Sequence, residues 1–319
     1  MNFEVEFPYE DDTVYLAYSR PYPYSQIIAH MFSVENKLCA LAPKVSGTVS
    51  PTHSDEKKKL RKDVVESVRR FSMKISRPGL EYRRDLLCTT ICGLPVPKIT
   101  ITANNLTQVA EYEERLSRRK TIIVTARVHP GETNASSVFE GYLDQLTENV
   151  DQSAVLANFI VRMVPCMNPD GVVCGNYRSS LAGVDLNRQW ILPSKELHPE
   201  VYYTKALMNQ ITNVENRKIL IYCDIHCHSK KMNSFLYGCN IAAEGAAFST
   251  WTQVRLLPRL LAHRSKYISL PSCRFGVDAC KLGTARVVVW KEFKVMNSFT
   301  LENSFFGYDF GLPMARLYT

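Results

Sequence analysis

No stretch of this 319-residue chain approaches the ~20 consecutive apolar residues that a membrane-spanning helix needs, so no membrane partner is expected. The opening MNFEVEFPYEDD is acidic and lacks the apolar core of a secretory signal. The ten cysteines include no CxxC pair, which argues against both a thiolate zinc site and a disulfide framework. They read as free thiols in a reducing, cytoplasmic compartment. An N-x-S sequon opens at Asn134, two residues from Glu132; a glycan there would crowd any site at that carboxylate, which again favours an intracellular address. Low-complexity tracts and internal repeats are missing too. What is present, 45% apolar and 22% charged residues, suits a globular chain with a sizeable core, in one large domain or two ordinary ones.

The net charge of +8 is unevenly placed. Residues 57–74, KKKLRKDVVESVRRFSMK, hold eight Lys/Arg against Asp63 and Glu66. A basic excess suggests acidic partners, whether nucleic acid, anionic lipid or acidic protein tails; a solvated helix face is the plainer alternative. No nucleic-acid motif or aromatic platform accompanies the charge, so no nucleic-acid partner is expected.

Residues 3–30 are aromatic-rich and read as loop, with one short strand at Val14–Ala17. Residues 42–53 read as a linker. A helix is predicted from Ser54, with Leu60, Val64, Val68 and Phe71 as its apolar stripe. β-rich segments at Asp85–Cys92 and Lys98–Ala103 follow. From there strands at Thr121–Val128, Phe159–Val164, Ile219–Ile225, Ala285–Trp290 and Ser298–Phe305 are interleaved with helices near Asn134–Leu146, Glu200–Val214 and Gln253–His263. Continuous apolar strands alternating with helices predict an α/β fold, with a mixed, mostly parallel central sheet covered by helices on both faces.

In such sheets, sites gather at the C-terminal ends of strands. His129 ends one apolar strand, and Glu132 follows after the bend Pro130-Gly131, so the two side chains can converge. Asp224, His226 and His228 in YCDIHCHS end another. Two nitrogens, a carboxylate and an open fourth position make a catalytic zinc site. HxxE alone is a weak pattern, and a strand-end His is more often capped by a backbone carbonyl. His226 and His228 face the same side of a strand, so spacing leaves the choice between them open. Further along, NPDGVVCGNYRSSLAGVDLNRQW presents a turn signal and then Arg178, Asn187 and Arg188. Two guanidinium forks and an amide could bind a carboxylate; on composition alone, two surface arginines is the simpler reading.

The ordered motifs ARVHPGETNAS, NPDGV, GNYRSSLAGVDLNRQW, YCDIHCHSKKMNSFLYGC, TARVVVW and SFTLENSF together resemble the cytosolic carboxypeptidases. These are the branch of the zinc metallocarboxypeptidases that trims glutamate from tubulin and other proteins. The opening FPYEDDTVYLAYSRPYPYS and the stretch YRRDLLCTTICGLPVPKITITA are similar to that family as well. The resemblance implies one zinc ion held by His129, Glu132 and His226, with Glu302 as catalytic glutamate and Arg178 polarising the scissile carbonyl. It implies that Asn187 and Arg188 grip the substrate's terminal carboxylate and that Arg286 lines the pocket for the last side chain. Independently of the family, period-two alternation puts Thr300, Glu302 and Ser304 on one strand face and Phe299, Leu301 and Phe305 on the other. For Arg286 an internal pair with Asp278 or Glu292 is the alternative to a pocket role.

The family places a β-sandwich domain ahead of the peptidase domain and a helix after the catalytic strand. Residues 1–50 are therefore expected to be a remnant of the sandwich and its linker, and residues 51–319 the catalytic domain without its last helix. The expected activity is removal of glutamate from acidic tails, tubulin's among them. Two rivals remain: an inactive module that binds acidic tails, and a zinc amidohydrolase of N-acyl amino acids.

Overall fold

A computed structural model describes residues 4, 6–7, 9–11, 13–41, 71–104, 118–148, 153–240 and 248–309. Its strands are β1 (Met73–Arg77), β2 (Leu80–Thr89), β3 (Pro95–Thr102), β4 (Lys120–Ala126), β5 (Phe159–Val164), β6 (Ile219–His228), β7 (Phe235–Tyr237) and β8 (Asn297–Ser304). They form one mixed sheet in the order β1-β2-β3-β5-β4-β6-β8-β7. The central strands β5, β4, β6 and β8 run parallel, and antiparallel pairings widen the sheet at both edges. The helices are α1 (Tyr24–Ala40), α2 (Asn134–Glu148), α3 (Ser153–Asn158), α4 (Pro169–Val173), α5 (Pro199–Asn209), α6 (Phe248–Arg264) and α7 (Ala285–Glu292).

Strand β4 shows why the sheet is covered on both faces. Ile122, Val124 and Ala126 point into a core shared with Met31, Val34 and Leu38 of α1 and Phe139 and Leu143 of α2. Ile123 points the other way, among Val201, Leu207 and Met208 of α5 and Val288 and Val289 of α7. Alternate residues of a strand face opposite sides, so a strand buried twice is apolar throughout.

Two local expectations are corrected. Val14–Ala17 forms no strand. The chain instead enters α1 at Tyr24, and α1 is pinned to the sheet by a buried bidentate pair: Arg84 Nε and Nη2 donate to the Glu35 carboxylate at 2.6 and 3.1 Å. Residues 285–290, expected as strand, are helix α7. Val287, Val288 and Val289 are all buried there, so the first turns of this helix show no polar period, and β-branched residues mimic a strand. The segment expected as helix at Glu200–Val214 is α5 followed by a π-helical turn at Gln210–Val214. The helix expected from Ser54 lies outside the described residues as far as residue 70.

Candidate active site

Strand β4 delivers the chain to the C-terminal edge of the sheet and ends at Ala126. Arg127 then takes a left-handed φ of 57°, and the chain bends through Pro130-Gly131 before α2 begins. Gly131 is needed at the bend because a Cβ there would fall 2.6 Å from the Tyr177 ring. Gly171 is needed for a similar reason: its Cβ would fall 2.5 Å from Pro130 Cγ. The HPGE and NPDG stretches therefore interlock. Asn168 fastens them, accepting from Gly171 N at 3.0 Å and donating to Val128 O at 3.2 Å.

The bend brings His129 and Glu132 to the end of β6. Ligand atoms of His129, Glu132 and His226 all lie within 4.8 Å of one another. Nδ1 of His129 stands 2.6 Å from one Glu132 oxygen, and Nδ1 of His226 stands 3.1 Å from the other. The far ring nitrogens are held by carboxylates. Nε2 of His129 is 3.0 Å from Asp185, and Nε2 of His226 is 2.7 Å from Asp224. Such partners fix the tautomer of a metal-binding histidine and leave its other nitrogen for the ion. His228 is turned elsewhere: its Nδ1 accepts from Lys230 N at 2.9 Å, and its ring packs on Phe235.

The electrostatics call for a positive charge at the centre of this triangle. Burial works against a charged His226, yet Asp224 and Glu132 outweigh it and raise its pKa well above the ordinary value. Burial opposes a charged Glu132 too, but His226 and His129 hold its carboxyl well below the usual carboxylate range. A divalent cation satisfies the same demand by displacing those protons. Two imidazole nitrogens and one carboxylate, oriented by further carboxylates, fit a catalytic zinc.

Glu302 pairs with His226 across the parallel β6–β8 ladder. Thr300 and Glu302 line the cleft, whereas Phe299 and Leu301 pack into an apolar cluster with α6 residues. Burial pushes the Glu302 carboxyl up to about 7, against the pull of His226.

The cleft has a volume of about 770 Å³. Among the described residues seven cations line it, Arg178, Arg188, Lys230, Lys231, Arg274, Lys281 and Arg286, against Glu132, Asp278 and Glu302. Arg178 is held by Asp185, its Nε donating to Oδ2 at 3.0 Å. Asp185 also accepts from Asn187 N at 2.8 Å, so one carboxylate orients His129, Arg178 and the Asn187 backbone. Asn187 accepts from Ala285 N through Oδ1 at 2.9 Å, which directs its Nδ2 towards His226 at 3.4 Å. Arg188 donates to Asn187 O at 2.9 Å. Arg286 is 6% exposed, in the first turn of α7, and its Nη1 donates to Gly238 O and meets Cys239 Sγ at 3.4 Å. Among the described residues no carboxylate lies within 4.0 Å of it, and Glu292 pairs with Lys205 instead.

The structure thus gathers His129, Glu132, Arg178, Asn187, Arg188, His226, Arg286 and Glu302 around one cleft. Sequence reasoning missed Asp185. It lies 56 positions from His129, and no spacing rule links a carboxylate to an imidazole so far away.

A family model described as "Zinc carboxypeptidase" matches residues 83–314. Cytosolic carboxypeptidase 1 of Homo sapiens is 36% identical over 321 aligned residues, covering 98% of this chain and 23% of that protein. Cytosolic carboxypeptidase 3 of Mus musculus is 35% identical, covering 98% of this chain and 26% of that protein. The chain thus spans about a quarter of the length of these relatives. Among solved structures, a metallo-carboxypeptidase from Burkholderia cenocepacia aligns with a TM-score of 0.63 at 20% identity, covering 90% of this chain and 61% of that one. A carboxypeptidase A-like protein from Shewanella denitrificans aligns with a TM-score of 0.57 at 26% identity, covering 78% of this chain and 59% of that one. The matched region contains all the cleft residues discussed above, from His129 to Glu302, and on that match the chain belongs to the zinc carboxypeptidase family.

Proposed function

We propose that the chain is the catalytic region of a metallocarboxypeptidase with one zinc ion, acting in the cytosol. It removes glutamate from the ends or side-chain branches of acidic protein tails, tubulin's among them. The observation that carries the acidic preference is Arg286: a buried guanidinium in the cleft whose partners are a carbonyl, a thiol and the Tyr237 ring 5.9 Å away, all neutral. A buried charge with neutral partners is costly, and a substrate carboxylate supplies what is missing.

Zinc in such a donor set supplies Lewis acidity and brings the pKa of water to about 7. The chain's own groups do the rest. Glu302 takes the proton of the attacking water and passes it to the leaving amine. Arg178, oriented by Asp185, faces the charge that develops on the carbonyl oxygen, and preorganised donors of this kind usually contribute the largest catalytic term. Asn187 Nδ2 and Arg188 hold the substrate's terminal carboxylate. An internal peptide bond offers those donors no anion, which makes the enzyme an exopeptidase. The cationic lining steers acidic tails into the cleft, an effect that weakens with salt.

The test is mass spectrometry of tubulin and of glutamate-ended peptides incubated with the purified chain, with N-acyl amino acids assayed alongside. Stepwise loss of glutamate from the acidic ends supports the proposal. Hydrolysis confined to N-acyl amino acids would replace it with the amidohydrolase alternative, and zinc-loaded protein that binds tails without turnover would leave only a binding module.

A further inference from the structure

The family match begins at residue 83, yet a segment well before it touches both halves of the candidate site. Residues 18–22 make four contacts with groups around the cleft. The Tyr18 ring meets the Tyr177 ring edge-on, with centroids 5.4 Å apart at 86°, and also the Phe305 ring at 5.7 Å. Ser19 Oγ lies 3.0 Å from Thr133 Oγ1, next to the ligand Glu132. Tyr22 O accepts from Arg127 Nη2 at 3.0 Å.

Each contact lands on a group that shapes the site. Tyr177 lines the cleft immediately before Arg178, packs against Gly131, and accepts through its carbonyl from Gly131 N at 2.8 Å. Arg127 is 2% exposed and in a left-handed conformation. Its other donors go to Pro130 O at 2.8 Å and Ser136 Oγ at 2.7 Å, so one guanidinium ties the segment to the ligand bend and to the first turn of α2. Phe305 follows β8 three residues after Glu302.

We propose that residues 18–22 are a brace for the active site, with Tyr18 as a positioning residue that acts through Tyr177 on Arg178 and on the His129–Glu132 bend. Tyr18 itself is 65% exposed and does not line the cleft, so its contribution to the core is small. Its ring packs edge-on against Tyr177, which is itself 55% exposed and touches the Gly131 bend. Without it, Tyr177 gains freedom, and Arg178 and the ligand bend lose a fixed wall. Misplacement on this scale costs rate rather than ground-state affinity when the group displaced serves the transition state.

The proposal rests on the carboxypeptidase reading for its turnover measurement; the second measurement needs only that the chain holds zinc, not that it is a peptidase. Tyr18→Ala, Tyr18→Phe, Ser19→Ala and, as a control, Tyr15→Ala (87% exposed in the wild type) are made in the full chain. Turnover is measured on a glutamate-ended peptide, and zinc release is followed with the chromogenic chelator 4-(2-pyridylazo)resorcinol. For Tyr18→Ala, kcat is expected to fall about tenfold or more with KM within about twofold, and zinc release to quicken about fivefold or more. Ser19→Ala shifts both readouts the same way by a smaller factor, Tyr18→Phe restores most of both, and Tyr15→Ala matches the wild type. Wild-type zinc release and kcat in Tyr18→Ala would overturn the brace, as would a Tyr18→Phe variant that falls as far as Tyr18→Ala. Should the wild-type chain release no glutamate, the functional reading fails by itself, and the zinc-release ratio still decides the brace.

Discussion

Glu302 stands directly opposite His226 on neighbouring parallel strands, so the candidate base and a candidate metal ligand share one sheet face at one level. Their spacing is set by the ladder itself and not by a mobile loop. Replacing Glu302 with Gln keeps shape and hydrogen bonding but removes the base. The expected outcome is zinc content equal to wild type, by atomic emission, with kcat lower by about 10²–10⁴-fold. Retained turnover would move the base elsewhere.

Under the proposed function, Arg286 is the residue that separates acidic from neutral ends. Arg286→Ala is expected to lower kcat/KM on glutamate-ended peptides roughly 10- to 100-fold more than on alanine-ended peptides, the range for an unmatched charged hydrogen-bond partner. The wild-type preference should shrink as salt is raised, and the salt-sensitive part belongs to the exposed cations of the cleft. Equal losses on both substrates would remove the specificity claim.

Asp185 joins the candidate metal ligand His129 to Arg178. Asp185→Asn leaves a near-isosteric side chain with half the accepting capacity. Zinc affinity, measured by chelator competition, should fall about 10–100-fold, as is usual when the carboxylate behind a ligating histidine is removed. Turnover at saturating zinc should fall further, because Arg178 loses its anchor at the same time. Unchanged affinity would show that His129 is oriented without this partner.

Glu200, 3% exposed at the start of α5, has its carboxyl pushed up to about 7 by burial. Between the ordinary glutamate pKa near 4.5 and about 7, the folded chain holds a proton that the unfolded chain has released. Stability from this group is therefore fully present at low pH and is lost as pH rises through that window, by roughly 3 kcal/mol in total. Glu200→Gln should match the wild type in denaturant melts near pH 4.5 and exceed it near pH 8. A variant that is less stable at pH 8 would show that the carboxylate has a favourable partner.

The parts of the site that were legible in the sequence are those whose chemistry is local. His129 and Glu132 declare themselves through the bend between them, and Glu302 through a polar residue alternating with Phe299 and Leu301 on one strand. The choice between His226 and His228 was not legible from spacing, because residues two apart share a strand face. It is the orientation of each ring, towards Asp224 or towards Lys230, that separates them. α7 is hidden because its first five residues are all buried and show no amphipathic period. α1 was overlooked because Pro21, Pro23 and the neighbouring tyrosines punctuate its approach, although Ile27, Met31, Val34 and Leu38 form a helical stripe. Asp185 and Tyr18 make their contacts across long sequence separations, and only packing reveals them.

The central claim is that three side chains from two strand ends hold one zinc ion beside Glu302, in a cleft built for acidic chain ends. Mass spectrometry of a glutamate-ended tubulin tail tests it most directly, comparing the zinc-loaded chain, the same chain with a chelator, and the Glu302→Gln variant. The account predicts progressive loss of glutamate in the first sample and an intact tail in the other two. An intact tail with the zinc-loaded wild type, or trimming that survives both the chelator and the substitution, would contradict it.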